Sequence, residues 1–330
     1  MRFPEFTEEW KKCTIKDYGE VITGNTPPTK NIEYYSNGSY LWASPADLGL
    51  SKHITSTKTK LSLLGLKKTR TIPQGSILVT CIGSTIGKMG MATETMSTNQ
   101  QINSVIVNDS TNNDFAYYAI LNAFPRYLSE VGVQAVPILS KSNFEKLPNH
   151  TTTKEEQRKL GYFLNLLDER IATQNKIIED LKKLKSAITD LLFHSIADAH
   201  TIRLGKIAHI TNGAGDVQDA NTEHQEDWYP FFDRSEELKW FPTYSFDKEA
   251  VIYAGEGQSF YPRYYNGKFA LHQRCYAITD FASCIIPKYC YHFMNTLNSY
   301  FVRNSVGSTV PSLRMDIFQK VEIRLPPISK

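Results

Sequence analysis

EEQRKLGYFLNLLDERIATQNKIIEDLKKLKSAITDLLF, residues 155–193, predicts a single long helix. The stretch has no proline and one glycine, Gly161. Its leucines and isoleucines recur at alternating steps of three and four residues, the heptad spacing of helices that pack against other helices. At 1.5 Å per residue the helix would span roughly 55 Å, so we expect it to separate two domains. The residues of this seam are Leu160, Leu164, Leu167, Ile171, Ile178, Leu181, Ile188 and Leu192.

The apolar seam is wider than a two-helix contact needs. Phe163, Ile177, Leu184 and Leu191 form a second apolar edge beside it. An exposed apolar stripe of this length promotes association, so we expect other helices to cover it. Three partners are compatible with this seam: a different protein, a second copy of this chain related by a two-fold axis, or an apolar core within the chain itself.

The segments on the two sides of the helix repeat each other. The pattern V-P-x-L-x-x-x-x-F-x-K occurs at residues 136–146 and again at 310–320, an offset of 174. Asn99-Gln100-Gln101 resembles His272-Gln273-Arg274 at an offset of 173, and each side is expected to open with a short strand, Thr14-Ile15-Lys16 or Thr201-Ile202-Arg203. Short apolar runs bounded by Gly, Pro and Asn indicate many strands. The prediction is an α+β fold of two tandem-duplicated domains, residues 1–150 and 199–330, joined by a coiled-coil-type spacer helix at 151–198.

Composition excludes several classes of protein. No run of about 18 apolar residues is present, and the N-terminus lacks an apolar signal core, so we expect no membrane partner and a cytoplasmic location. Five cysteines form no C-x-x-C pair, which favours reduced thiols over a disulfide framework or a structural zinc site. The formal net charge is only +3, so any nucleic-acid surface must lie in local stripes.

Two long stretches contain no acidic residue, residues 48–93 and 257–279. Either stretch alone is compatible with an ordinary solvated surface, but their occurrence in both repeats favours two DNA-binding faces. Lysine and arginine neutralise phosphates, while Arg, Gln and Tyr side chains on loops reach base edges. The candidate DNA-binding residues are Lys52, Lys58, Lys60, Lys67, Lys68, Arg70, Lys88, Gln100, Gln101, Tyr261, Arg263, Tyr264, Lys268 and Arg274.

Signals for catalysis or metal binding are weak. No P-loop and no H-E-x-x-H pattern is present. Gly255-Glu256-Gly257 lacks the third glycine of a dinucleotide loop and is interpreted as a solvent turn. The acidic run at residues 216–227 lacks the pattern of a calcium loop and is interpreted as solvated. We therefore predict no catalytic residue, no metal site and no cofactor in this chain.

Several motifs together resemble the DNA-specificity (S) subunit of type I restriction-modification systems. They are a Leu-Pro strand end, the helix entry at 155–160 with its heptad helix, Gly24-Asn25-Thr26-Pro27-Pro28, the strand entry at 72–78, the turn at 84–88 and Asn99-Gln100-Gln101. The likeness covers essentially the whole chain. The second domain departs from it at Gly213-Ala214-Gly215, and the sequence stops at Lys330, where the family carries a second long helix.

The resemblance implies a non-catalytic recognition subunit. In that family two target-recognition domains each read one half of a bipartite, asymmetric DNA site, and the helices bind two methyltransferase subunits and, through the complex, restriction subunits. S-adenosylmethionine, ATP and Mg would belong to those partner subunits. The absence of an N-P-P-[YF] methyltransferase signature in this sequence agrees with that expectation.

Two other classes of function are compatible with the sequence. One is a self-contained DNA-modifying enzyme, which would need a carboxylate cluster around a metal or a cofactor-binding fold. The other is a coiled-coil adaptor whose flanking domains bind only protein. DNA affinity at low salt distinguishes the adaptor from the recognition subunit.

Overall fold

The computed structural model describes residues 3–130 and 138–327. The chain divides into two compact units, Met1–Asn175 and Lys176–Lys330, here called unit 1 and unit 2, with the boundary inside the long helix. Each unit combines helices with antiparallel-rich sheets, so the predicted α+β class with two domains and a long helix is confirmed. The first half of the repeated motif, Val136-Pro137, lies outside the described residues.

Unit 1 contains eleven strands and the start of the long helix among its described residues. The strands form a five-stranded sheet of order β2-β10-β7-β8-β4, a four-stranded sheet of order β5-β3-β9-β6 and the pair β1-β11. The elements are β1 Lys11–Thr14, α1 Ile15–Tyr18, β2 Gly19–Thr23, β3 Tyr40–Ala43, β4 His53–Ile54, β5 Thr59–Leu61, α2 Leu63–Leu66, β6 Thr71–Ile72, β7 Ile77–Thr80, β8 Met89–Ala92, β9 Met96–Thr98, β10 Ile102–Val107, α3 Asn113–Glu130, α4 Lys141–Glu145, β11 Pro148–Thr151 and α5 Lys154–His194.

The five-stranded sheet of unit 1 is buried on both faces. On β7, Ile77 and Val79 join the cluster that contains Phe115 and Ile120 of α3, whereas Leu78 joins a second cluster. Successive side chains of a strand point to opposite faces, so a continuous apolar run such as β7 is what a doubly covered strand requires. The sheet therefore lies within the core of unit 1, with one apolar cluster on each side.

Unit 2 repeats this design with a different sheet. Its strands form a six-stranded sheet of order β13-β18-β16-β17-β14-β15 and the pair β12-β19. On β16, Val251 and Tyr253 face one apolar cluster while Ala250 and Ile252 face another. The elements are β12 His200–Arg203, β13 His209–Asn212, β14 Tyr229–Phe232, β15 Lys239–Phe241, β16 Phe246–Ala254, β17 Arg263–Leu271, β18 Cys275–Thr279, α6 Pro287–Asn295, α7 Asn298–Asn304, α8 Met315–Gln319 and β19 Glu322–Leu325.

The duplication is visible in matching backbone hydrogen bonds. The Leu139 amide donates to the Cys81 carbonyl at 2.8 Å in unit 1, and the Leu313 amide donates to the Gly255 carbonyl at 2.7 Å in unit 2. Both the donors and the acceptors are offset by 174 residues, the offset of the sequence repeat. The sequence repeat therefore corresponds to a repeated hydrogen-bond framework.

One predicted strand is wrong in part. Thr14 ends β1, but Ile15 and Lys16 begin the short helix α1, because the Thr14 backbone and hydroxyl bond the Asp17 carboxylate and cap a helical turn. In unit 2, by contrast, Thr201-Ile202-Arg203 lies wholly in β12, as expected.

Helix α5 has 41 residues, which corresponds to a length of roughly 60 Å. Thr153 caps its first turn, since the Glu156 amide donates to the Thr153 hydroxyl at 3.4 Å. The single glycine, Gly161, lies where α5 meets the start of α3: a Cβ there would be 2.6 Å from Asn112 Oδ1 and 3.0 Å from the Phe115 amide nitrogen. Glycine is required because the two backbones approach so closely. Within the described residues, α5 and every other helix are too short or too polar to cross a membrane.

Candidate nucleic-acid interface

Three polar loops of unit 1 are bonded together at the end of β2. The Asn25 side-chain amide donates to the Lys68 carbonyl at 2.9 Å, and its oxygen accepts from the Arg70 backbone amide at 2.8 Å. The Thr26 hydroxyl donates to Gln100 Oε1 at 2.5 Å. Residues 24–26, 67–70 and 99–101 therefore form one surface, here called the unit 1 loop cluster.

The unit 1 loop cluster brings together five of the predicted site residues. Lys67, Lys68, Arg70 and Gln100 are exposed and Gln101 is half-buried. The Arg70 guanidinium donates to the Thr23 carbonyl at 2.8 Å, which fixes its position beside the loop at residues 24–26. Exposed cations next to amide side chains suit contacts to both the phosphates and the bases of DNA.

Three other predicted lysines are exposed but lie outside the unit 1 loop cluster. The Lys58 amide donates to Asp47 Oδ1 at 2.8 Å, and Lys60 pairs with Leu41 between β5 and β3. The stem of Lys88 lies against Gly49, where the backbone φ is +83°. Their role in DNA binding stays a prediction.

The prediction that Lys52 binds DNA is contradicted by its surroundings. Its side chain is only 8% exposed, and its ammonium lies 2.7 Å from Asp114 Oδ1. The same group contacts Asn165 of α5 and lies 4.2 Å from the ring centroid of Tyr118. All these partners surround one ammonium, so Lys52 holds α3 and α5 together and has no free face for a phosphate.

In unit 2 the loop at residues 272–274 takes the place of residues 99–101. The Gly213 amide donates to the Cys275 carbonyl at 3.2 Å, and the Gln273 amide donates to the Gly215 carbonyl at 3.1 Å. Beside this loop lies a polar cavity of about 560 Å³ whose walls include Asp216, Arg234 and Gln273. We call the loop and the cavity together the unit 2 polar pocket.

Arg274 projects from this loop and is paired. Its Nη1 lies 2.7 Å from Glu256 Oε1, while the Arg274 side chain remains 65% exposed. The interpretation of residues 255–257 as a solvent turn is therefore wrong: the Glu256 side chain is only 21% exposed, and the Gly257 amide donates to the Pro311 carbonyl at 3.0 Å. Glu256 was missed because its partner is contributed by another strand end.

A buried ion pair forms the inner wall of the unit 2 polar pocket. The Asp233 carboxylate, 4% exposed, lies 2.7 Å from Lys239 Nζ and accepts from the Ser235 amide at 2.8 Å. Burial acts to raise the pKa of Asp233, but the hydrogen bonds from Lys239 and Ser235 outweigh it and hold the pKa below its ordinary value. Sequence patterns gave no signal for this pair.

The remaining predicted residues of unit 2 lie on β17 or just before it. Arg263 is half-buried: its guanidinium donates to the Ser235 carbonyl and lies 5.9 Å from the ring centroid of Phe232, so it supports the pocket wall. Tyr261 is exposed. Lys268 Nζ lies 4.7 Å from the ring centroid of Tyr244.

Tyr264 already has a partner within the sheet. Its hydroxyl donates to the Glu249 carboxylate across the β16–β17 pair, and that hydrogen bond raises the pKa of Tyr264. This contact does not require DNA. Tyr264 therefore has a structural role at the sheet surface, and its contact with DNA stays a prediction.

Most of the predicted helix seam is exposed, with Leu160 and Leu164 as the exceptions. Leu160 packs against the apolar core of unit 1, so assigning it to a partner helix is wrong, and Leu164 is half-buried. The exposed seam residues have exposed fractions between 44% and 61%: Leu167, Ile171, Ile178, Leu181, Ile188 and Leu192.

In unit 2 the end of α5 forms one wall of an apolar groove of about 790 Å³. Leu184, Ile188 and Leu192 line it together with Tyr289. Phe193 anchors this end of the helix, since its ring packs edge-on against Tyr289 at 5.2 Å and against Phe293 at 5.3 Å.

Within residues 3–130 and 138–327, no group of three or more His, Cys, Asp or Glu side chains is placed to hold a metal ion. All five cysteines are free, and burial raises the pKa of Cys81 to about 12 and that of Cys275 to about 11. These two thiols are protonated at neutral pH and are poor nucleophiles.

Comparison with known proteins agrees with this architecture. A family model described as the type I restriction modification DNA specificity domain matches residues 7–183 and 197–330. The specificity subunit of the type I restriction enzyme MjaIX from Methanocaldococcus jannaschii is 30% identical over 183 residues, which are 54% of this chain and 42% of that protein. The HindI specificity subunit from Haemophilus influenzae is 30% identical over 185 residues, 53% of this chain and 39% of that protein. The chain thus spans about two fifths of the length of these curated relatives.

A solved structure has the same fold. The S subunit of a type I restriction-modification system from M. genitalium aligns with a TM-score of 0.66 and 17% identity, covering 96% of this chain and 85% of that one. Two repeated α+β domains, each with a polar loop cluster at a sheet end, define a tandem-duplicated protein. Because the family model matches most of its length, the chain belongs to the type I restriction-modification DNA specificity family.

Proposed function

We propose that this chain is the sequence-reading subunit of a type I restriction-modification complex and that units 1 and 2 each read one half of a bipartite DNA site. The observation that carries the proposal is the repeated loop at the sheet end: residues 99–101 and 272–274 occupy equivalent turns, yet they differ in side chains. Equivalent position with different chemistry is what two half-sites of different sequence require.

Affinity and specificity would come from different residues of the same surfaces. Lys67, Lys68 and Arg70 are exposed and would neutralise phosphates, which favours binding to any duplex. Amide and guanidinium groups on the repeated loops would contact base edges in the major groove. The chain itself would carry out no chemical step.

The exposed face of α5 is the proposed docking surface for methyltransferase subunits. Ile171, Ile178, Leu181 and Ile188 are exposed and present an apolar stripe along α5. Two methyltransferase subunits would bind S-adenosylmethionine, and restriction subunits would join through that complex and use ATP and Mg. A second copy of this chain is the competing occupant of the stripe.

The test uses the full chain, affinity-tagged and purified from its own cells so that bound subunits stay attached. It is mixed at low salt with a library of duplexes containing 30 random base pairs, a length of about three helical turns, and the bound duplexes are sequenced. We expect enrichment of two short motifs at a fixed spacing and co-purification of a methyltransferase subunit.

Other outcomes point to the competing classes of function. No DNA binding would leave a protein-binding adaptor, and methyl transfer or cleavage by the chain alone would make it a self-contained enzyme. A species of twice the 37.6 kDa chain mass without other subunits would assign the helix face to a second copy.

A further inference from the structure

Arg274 and Gln101 occupy the same position of the repeated turn. The Gln101 amide donates to Asn99 Oδ1 at 3.0 Å, and the Arg274 amide donates to His272 Nδ1 at 3.2 Å. Each is therefore the third residue of a turn closed by the side chain of the first. The two turns direct the backbone in the same way, so the difference between the units lies in the side chain.

In unit 1 the side chain at this position, Gln101, already has two hydrogen-bond partners within the unit. Gln101 Oε1 accepts from the Asn99 side-chain amide at 3.1 Å, and Gln101 Nε2 donates to the Ile82 carbonyl at 3.4 Å. In unit 2 the residue offset by 174 from Ile82 is Glu256, whose carboxylate holds Arg274 Nη1. The contact uses one nitrogen of the guanidinium, and the side chain stays largely in solvent.

The charges around Arg274 suit a base edge better than a phosphate. Glu256 is bonded to its guanidinium, and the cavity wall carries three carboxylates, Asp216, Asp233 and Glu256, beside three cationic side chains, Arg234, Lys239 and Arg274. The wall therefore has no net positive charge that would favour a phosphate. Carboxylates beside an arginine repel a phosphate but accept a neutral base edge.

We propose that Arg274 reads a guanine in the half-site recognised by unit 2 and that Glu256 is the residue that positions it. An arginine presents two parallel N–H donors to O6 and N7 of guanine, the pair of acceptors that distinguishes guanine in the major groove. Glu256 Oε1 accepts from one nitrogen of the guanidinium, and the Arg274 side chain, which lines the cavity, is 65% exposed, so its other donors stay accessible. This inference rests on the proposed function, because it assigns one residue within the DNA-reading surface.

The experiment compares the duplex selection described above for five proteins. Arg274→Gln removes both the charge and the pair of parallel N–H donors. Arg274→Lys keeps the charge but lacks that pair of donors. Arg203→Gln is the matched control: it removes the same charge from an exposed arginine in β12, beyond the His209 end of β13, whereas Arg274 lies near the Asn212 end. Glu256→Gln, which removes the charge of the positioning residue, and the wild-type chain are the fourth and fifth.

We expect both Arg274 variants to lose preference for guanine at one position of one half-site by roughly 5- to 150-fold, with the other half-site unchanged. Arg274→Lys should retain wild-type affinity for random-sequence duplex, and Arg203→Gln should select the wild-type site. Glu256→Gln should weaken the guanine preference less than Arg274→Gln does, since the arginine is still present but is held by a weaker, uncharged acceptor.

Three results overturn the assignment in different ways. If wild type selects a bipartite site and Arg274→Gln selects the same site, the assignment of Arg274 fails while the proposed function stands. If wild type enriches no sequence, the proposed function fails and the assignment fails with it. Equal loss of affinity for all sequences in Arg274→Gln would make Arg274 a phosphate contact and also reject the proposal.

Discussion

The ammonium of Lys52 lies 2.7 Å from the carboxylate of Asp114, so a lysine from an acid-free stretch of sequence is paired inside unit 1. Asp114 stands in the first turn of α3, and the same ammonium contacts Asn165 of α5. Tyr118 adds a second link, since its hydroxyl donates to Asp168 Oδ2 at 2.7 Å. Polar contacts at the start of α5 therefore fix the helix on unit 1.

Replacing Lys52 with methionine should destabilise unit 1 without changing the salt dependence of DNA binding. The change leaves Asp114 and Asn165 without their shared donor, and we expect a loss of about 1–3 kcal/mol in the free energy of unfolding. Urea unfolding followed by circular dichroism measures it. Lys60→Met, at an exposed lysine of the same stretch, is the control and should leave stability within about 0.5 kcal/mol.

If the salt dependence of DNA binding changed in Lys52→Met, the conclusion would be that Lys52 contacts DNA. A double-mutant cycle with Asp114→Asn tests the pair itself. If the two single changes add without coupling, the short contact between these groups contributes nothing to stability.

Replacing Lys67, Lys68 and Arg70 together with alanine should weaken binding to every duplex alike. Each lost phosphate contact lowers the slope of log K against log salt by roughly 0.9, so the triple variant should lose up to about 3 units of slope. Binding titrations at several salt concentrations give the slope. The control is Lys11, Lys12 and Lys16 changed to alanine, three exposed lysines at the opposite end of β2 from the unit 1 loop cluster.

The same slope in the triple variant as in wild type would remove residues 67–70 from the interface. An equal decrease in the control would mean that only the total charge of unit 1 matters. A DNA-binding role of the unit 1 loop cluster is supported only if the slope decreases more in its triple variant than in the control.

The sequence reveals features that are local or repeated, and it conceals pairings between distant residues. The heptad spacing around Ile178 is visible in any window of the helix, so α5 was predictable from the sequence. Lys52 and Asp114 are 62 residues apart, and Glu256 meets Arg274 only because β16 and β18 lie side by side. Leu160 carries the heptad spacing, but the periodicity cannot show that the first turns of α5 pack on their own domain.

Acidification should remove the contribution of the Asp233–Lys239 pair to the stability of unit 2. The folded-state pKa of Asp233 lies below the ordinary value of 3.8. A lowered folded-state pKa means that the carboxylate stabilises the fold above the ordinary value, and that the gain disappears as the pH falls through the folded-state pKa. Asp233→Asn should cost about 1–3 kcal/mol at pH 7, and the difference from wild type should shrink below about pH 4.

Thermal unfolding of both proteins at pH 7, 5, 4 and 3 measures this difference. Asp316→Asn is the control, because Asp316 also has a lowered pKa and a lysine partner but lies exposed on α8, where such pairs contribute little. A difference between wild type and Asp233→Asn that stays constant down to pH 3 would contradict the proposed role of the carboxylate charge.

Replacing Ile178 with aspartate tests the docking face of α5. The sequence pattern alone suggests a loss of several kcal/mol, as for a charge placed in an apolar seam, but Ile178 is 49% exposed in this chain. We therefore expect little change in the thermal unfolding of the chain, within about 0.5 kcal/mol, together with loss of the co-purifying methyltransferase subunit. Ala172→Asp is the matched control: it adds the same charge to the same exposed helix six residues earlier, which at 100° per residue is 120° away from Ile178 and beside the polar residues Glu169 and Lys176. If both variants retain the subunit, methyltransferase does not dock on this stripe, and if both lose it, the effect comes from charge on the helix and not from the apolar face.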